Sequence, residues 1–171
     1  MSRRYQIVFN EAFDGTIKND KYAEVIDTED NQIILEAFYV LNNLQRYGYS
    51  IASGHKGDKC VVTFDHRYLG YFQKESFIFE PLIMHELGHY LNGDSRRKPD
   101  RKKERLERIA VAESGGVSRR ESDADDFAVS QVGKKALRRA LEYVKKDAIR
   151  LGATKDNPGI IEMEKRIKRL K

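Results

Sequence analysis

The chain has one cysteine, Cys60, in 171 residues and no C-x-x-C pair. That excludes an internal disulfide, and with it a disulfide scaffold or a thiolate zinc finger. A reducing compartment, the cytoplasm, is the expected setting. No run approaches the roughly 18 apolar residues that cross a bilayer, and no apolar stretch behind Met-Ser-Arg-Arg-Tyr-Gln is long enough for a signal sequence. No membrane span is expected. Proline is scarce too: of its three positions, Pro99 and Pro158 read as helix starts and Pro81 is a discord within an expected helix.

What is present suits one globular domain: 40% of residues are hydrophobic and 35% charged, which excludes disorder along the whole length. The charge is polarised. Residues 1–95 carry 9 basic and 14 acidic side chains, residues 96–171 carry 23 and 13, and the net charge is +5. The stretch 96–108 alone holds 8 basic and 3 acidic residues. Such a segment attracts acidic polypeptide or nucleic acid, or is simply a solvated helix face. No aromatic residue interleaves with it, which argues against single-strand binding by stacking.

Arg4 to Phe9 reads as a short strand. Asn31 to Tyr47 places Ile34, Phe38, Leu41 and Leu44 at helical spacing, with Gly48 as the stop. Ser53 to Asp58 is turn-rich, Cys60 to Phe64 is β-branched and apolar, and Tyr68 to Phe72 reads as extended. Ser76 to Leu91 is helical, closed by Asn92-Gly93, with Pro81 making either the start or the first turn irregular. Further helices are expected from the Pro99-Asp100 cap to about Glu113, from Ser118 to Val132, from Lys134 to Leu151, and from Asn157-Pro158 onward.

The strongest chemical signal is His85-Glu86-Leu87-Gly88-His89. On a helix, residues four apart share a face, so two imidazoles can grip one metal ion. Glu86, one residue past the first histidine, sits where a general base reaches a metal-activated water. A catalytic zinc needs a third protein ligand and an open fourth position. The metzincin continuation would require glycine at 92 and histidine at 95, but these are Asn92 and Ser95. No histidine follows His89, so the third ligand is a carboxylate, or His55 or His66 arriving from upstream.

Glu121-Ser122-Asp123-Ala124-Asp125 supplies two carboxylates four apart on a later helix, one to bind metal and one to steady an imidazole. Ser118-Arg119-Arg120-Glu121 is equally a capping box, in which Glu121 would bond back to the start of its own helix. The sequence leaves both roles open for Glu121.

The motif H-E-x-x-H, then Gly93-Asp94, then E-x-x-A-D with Phe127-Ala128, resembles the gluzincin metallopeptidases related to the CAAX prenyl proteases and the membrane heat-shock proteases. The likeness continues in Gly133, in Leu137 to Leu141, and in Asn157-Pro158 with Arg166-Ile167 and Leu170, and spans about residues 60–171. A similar helix pair occurs in ImmA/IrrE-like metallopeptidases.

The resemblance implies an α+β, gluzincin-like single domain: a sheet-containing part (1–75), zinc-site helices with a basic insertion at 95–117 (76–132), and C-terminal helices (133–171). It implies Zn2+ held by His85, His89 and Glu121, with Glu86 as catalytic base and Asp125 as partner of a ligating imidazole. It further implies that the strand before the active helix, here Cys60 to Phe64, binds a protein or peptide substrate as an added strand. Relatives often carry an oxyanion-stabilising histidine where this chain has Asn157. Asn157 is therefore the candidate for that role, with Arg138, Tyr143 and Arg166 as others.

The remaining features read as structural: Cys60 as a buried small hydrophobe, Asp94 as a turn residue, His55 as solvated. A peptide deformylase would need a cysteine ligand in another context than Lys59-Cys60-Val61-Val62. The expected function is a zinc-dependent metalloendopeptidase. The alternative is a non-catalytic or latent zinc-stabilised module whose basic C-terminal half binds a partner protein or nucleic acid.

Overall fold

The computed structural model describes residues 4–17, 19–40, 51–56, 58–74, 76–94 and 101–171. Among the described residues five strands come first: β1 (Tyr5–Phe9), β2 (Lys21–Asp27), β3 (Gln32–Val40), β4 (Ile51–Lys56) and β5 (Lys59–Asp65). The helices follow: α1 (His66–Lys74), α2 (Ser76–Leu91), α3 (Arg101–Ser114), α4 (Arg119–Val132), α5 (Lys134–Arg150) and α6 (Pro158–Arg169). The architecture is mixed α+β, and no described helix is long and apolar enough to cross a membrane.

The sheet has the order β1-β2-β3-β5-β4, with β3 and β5 parallel and every other neighbour antiparallel. Alternation decides which side faces the core. Leu35 lies opposite Cys60, Ala37 opposite Val62 and Tyr39 opposite Phe64. Val25 and Ala23 extend the first two rows onto β2. All of these side chains are buried in the core, together with Phe79, Ile83 and Leu87, which recur every fourth residue along α2. The helix carrying the histidine motif packs against β4, β5, α4 and α5.

Two stretches take the opposite conformation to that expected from spacing. Residues 32–40, expected within a helix from Asn31 to Tyr47, form β3. Ile34 and Phe38 are four apart, an interval that fits one face of a strand as well as one face of a helix. Asn31, read as the helix start, has φ +64° and closes the turn from β2, its N–H donating to the Asp27 carbonyl at 2.8 Å. Residues 41–50, where that helix would continue, lie outside the described residues. Conversely, Tyr68 and Phe72, read as extended, are the buried face of α1, their ring centroids 5.3 Å apart. Of the turn-rich Ser53 to Asp58, residues 53–56 belong to strand β4.

The helical half follows its punctuation. Ser118 caps α4, Gly133 separates α4 from α5, and Asn157 with Pro158 opens α6. α3 is described from Arg101; residues 95–100, with the expected Pro99-Asp100 cap and the head of the basic run, lie outside the described residues. α2 runs unbroken from Ser76, so Pro81 sits within the helix, where it removes one i→i−4 donor.

Leu35, with no exposed surface, is pinned between β2 and β5. Leu35→Ala is expected to cost about 2–5 kcal/mol, the usual range for a core cavity, read as a lowered urea midpoint. A loss below about 1 kcal/mol would show that this row is not the core.

Candidate metal centre

His85 and His89 sit one turn apart on α2, which brings their Nε2 atoms to 3.1 Å. What brings α4 to them is the glycine between. A Cβ on Gly88 would meet the Ala124 Cα at 3.0 Å, the Ala124 carbonyl oxygen at 3.1 Å and the Phe127 Cβ at 3.2 Å. Only a residue without a side chain admits the α4 backbone this closely. Ala124 and Ala128, both fully buried, present equally little bulk from the other side.

One turn before Asp125, the Glu121 carboxylate meets both rings: Oε2 lies 3.2 Å from His85 Nε2 and Oε1 lies 3.5 Å from His89 Nε2. Tetrahedral zinc with bonds of about 2.0–2.1 Å holds its donors about 3.4 Å apart, so the observed spacing fits one shared ion. His85, His89 and Glu121 are a group that could bind a metal ion.

Each ring is turned by a carboxylate on its far nitrogen. His85 Nδ1 lies 2.9 Å from Asp125 Oδ1, and His89 Nδ1 lies 2.9 Å from Asp94 Oδ2. An ionised carboxylate only accepts, so each Nδ1 carries the proton, and a neutral ring then offers its Nε2 lone pair toward the other ligands. Asp94, expected as a turn residue, is thus part of the centre. Gly93, at φ +78°, reverses the chain after α2 and returns Asp94 beneath His89. The signal for it is the carboxylate directly after a helix-ending glycine.

No family model, curated protein or solved structure matches the chain. The site is therefore read from its own chemistry.

The two roles open to Glu121 resolve by division of labour. Ser118 Oγ accepts from the Glu121 N–H at 3.4 Å, half of the capping box. The other half is supplied from α6: the Ser118 N–H donates to Glu162 Oε1 at 3.0 Å, and the Glu162 side chain is buried. The Glu121 carboxylate is left to the histidines and to Arg166, whose Nη1 stands 2.8 Å from Glu121 Oε2. Arg166 also grips Asp125 through two parallel contacts, Nε to Oδ2 at 2.9 Å and Nη2 to Oδ1 at 2.6 Å.

Electrostatics follow this network. Burial and the Arg166 charge oppose protonation of His85, yet Asp125 and Glu121 outweigh them and its pKa rises to about 9. Burial also opposes protonation of His89, but Glu121 turns that shift upward. For Glu121, burial alone would raise the pKa; the Arg166 charge and the two imidazoles instead hold it well below the usual carboxylate range. Asp125, although buried, is held down by His85 and Arg166.

Glu86 is half-buried on α2. Cys60 is fully buried, its thiol pushed up to about 12 by burial and then by the Glu86 charge, which leaves it inert as a nucleophile or ligand. Asn157 is placed elsewhere: it is exposed, and its Oδ1 accepts from the Gly159 N–H at 2.9 Å as the cap of α6. Arg138 pairs with Glu142 at 2.8 Å, and the Tyr143 ring stands edge-on to Phe77. Of these four candidates for the oxyanion, Arg166 is the one seen against the triad, at Glu121 and His85. The side chains of His55 and His66 lie outside the described residues.

Two expectations follow. Gly88→Ala gains helix propensity but drives a methyl into backbone. It should destabilise the fold by about 1–3 kcal/mol and weaken metal binding, checked by denaturant melts and chelator competition. An unchanged metal affinity would contradict the close-approach argument. Because the His85 imidazole without metal keeps its proton up to about pH 9, metal uptake at pH 7 should release protons to an indicator dye, and affinity should fall as pH drops below about 9. A pH-independent affinity between about 6 and 9 would contradict it.

Proposed function

We propose that this chain is a zinc-dependent metallopeptidase that hydrolyses peptide bonds. The observation that carries the reading is a set of three donors, two imidazoles and one carboxylate, with a further carboxylate, Glu86, beside the first histidine. Among the described residues no fourth donor joins the group. Three protein ligands with a vacant position are the pattern of catalytic zinc, whereas structural sites are closed by four.

When bound there, zinc supplies Lewis acidity and brings the pKa of a water in its vacant position toward neutrality. The chain's own residues do the rest. Asp125 and Asp94 hold the rings so that both Nε2 atoms face Glu121. Glu86 takes a proton as the water oxygen adds to the scissile carbonyl carbon, and gives a proton to the amide nitrogen as the C–N bond breaks. A structural centre has no need of such a base.

Cys60 to Phe64, the strand expected to receive the substrate, lies inside the sheet. β5 has β3 on one side and β4 on the other, so its backbone groups are already paired. Among the described residues β4 stands at the end of the sheet, and α2 packs against it. A substrate held as an added strand would therefore pair with Ile51–Lys56.

Glu86→Gln should keep zinc and fold and lower turnover by about 10²- to 10⁴-fold. The check is N-terminal peptide labelling of a lysate treated with wild type or with the variant. New N-termini with wild type alone support the reading; equal cleavage by both removes Glu86 from the mechanism. No cleavage by a fully zinc-loaded wild type would favour the non-catalytic module.

A further inference from the structure

Arg166 reaches the triad from α6, 41 residues beyond Asp125 in the chain. It is buried, and its planar guanidinium is engaged along two edges. Nε and Nη2 pair with the two oxygens of Asp125, at 2.9 and 2.6 Å, and Nη1 reaches Glu121 Oε2 at 2.8 Å. Nη2 also stands 3.3 Å from His85 Nδ1 and 3.4 Å from His85 Nε2. The same Asp125 Oδ1 that receives Nη2 faces His85 Nδ1 at 2.9 Å.

A cation beside a metal site is electrostatically unfavourable for metal binding, so its presence calls for a compensating role. The fork supplies one. A guanidinium paired with both carboxylate oxygens fixes that carboxylate in its own plane. Here the third nitrogen of the same plane then locates Glu121, one turn away on α4.

We propose that Arg166 is a positioning residue of the metal centre, its rigid fork setting the Asp125 carboxylate that aims His85 and the Glu121 carboxylate that completes the donor set. The inference rests on the metal reading of His85, His89 and Glu121. It makes α6 a working part of the centre: α6 also caps α4 through Glu162, and Arg169 contacts the Ser122 carbonyl at 3.3 Å and Asp126 at 2.6 Å. Glu162, Arg166 and Arg169 share one helix face, and each reaches α4. With its donors committed in this way, Arg166 is assigned to holding ligands and not to the oxyanion role.

The test separates geometry from charge. Arg166→Met removes both; Arg166→Lys keeps the charge and loses the fork. Zinc affinity is measured by chelator competition on the full chain, and ligand geometry by the visible spectrum of the cobalt(II) form. Both variants should bind zinc on the order of 10- to 100-fold more weakly and show an altered cobalt spectrum, with no rescue by lysine. If Arg166→Met binds as tightly as wild type or tighter with an unchanged spectrum, or if lysine restores both readouts, the positioning role is overturned.

Circular dichroism establishes that the variants fold. If they do not, nitrogen-15 NMR of the wild-type chain serves instead: the Arg166 Nε–H signal should be resolved, slow to exchange with water and shifted by added zinc. A signal averaged with those of exposed arginines overturns the proposal. A wild-type chain that binds no zinc fails the metal reading itself, whereas normal wild-type binding with unaffected variants fails Arg166 alone.

Discussion

Backbone comes nearly into contact with backbone where α2 crosses α4, and everything in the centre hangs on that approach. Gly88 lies between the two histidines and faces Ala124, between Glu121 and Asp125 in the chain, at distances a methyl group could not share. The same crossing therefore sets the separation of the imidazoles from the carboxylates. Packing that would elsewhere only fill a core here determines whether three donor atoms lie about 3.4 Å apart, the spacing one shared metal ion requires. The sheet shares one core with α2, through rows of alternating buried residues on β2, β3 and β5.

A second constraint is charge. The half-buried Glu121 and the fully buried Asp125 bring two carboxylates into one small volume, which a folded chain tolerates only if both are paired. Arg166 and the imidazoles provide that pairing. On the His89 side the arrangement is looser. Asp94 is backed by Arg120, whose Nε lies 3.4 Å away and whose Nη1 stands 3.3 Å from Glu104 on the basic helix α3. The two histidines thus differ in support, one anchored to a bidentate buried arginine and the other to a partly exposed one.

Much of the centre was legible in the sequence because its spacing is local. Residues four apart on a helix share a face wherever that helix lies, so His85 with His89, and Glu121 with Asp125, could be paired without a structure. Caps and breaks at Ser118, Gly133 and Asn157 were legible for the same reason. The parts that were not depend on partners distant in the chain. Glu121 reads equally as cap or ligand until Glu162, 44 residues beyond Ser118, is seen to take the capping position. Asn157 shares its cap-then-proline signature with its suggested chemical role, and the structure shows only the cap. The β3 segment misled because an interval of four serves either periodicity, and the place of Cys60 to Phe64 inside the sheet was hidden because which strand ends a sheet is settled by long-range pairing.

Zinc K-edge X-ray absorption on the wild-type chain loaded to stoichiometry tests the central claim most directly. The account predicts nitrogen and oxygen neighbours at about 2.0–2.1 Å, with the outer-shell scattering of two imidazoles. A sulfur neighbour at about 2.3 Å, or an all-oxygen shell without imidazole scattering, would contradict it.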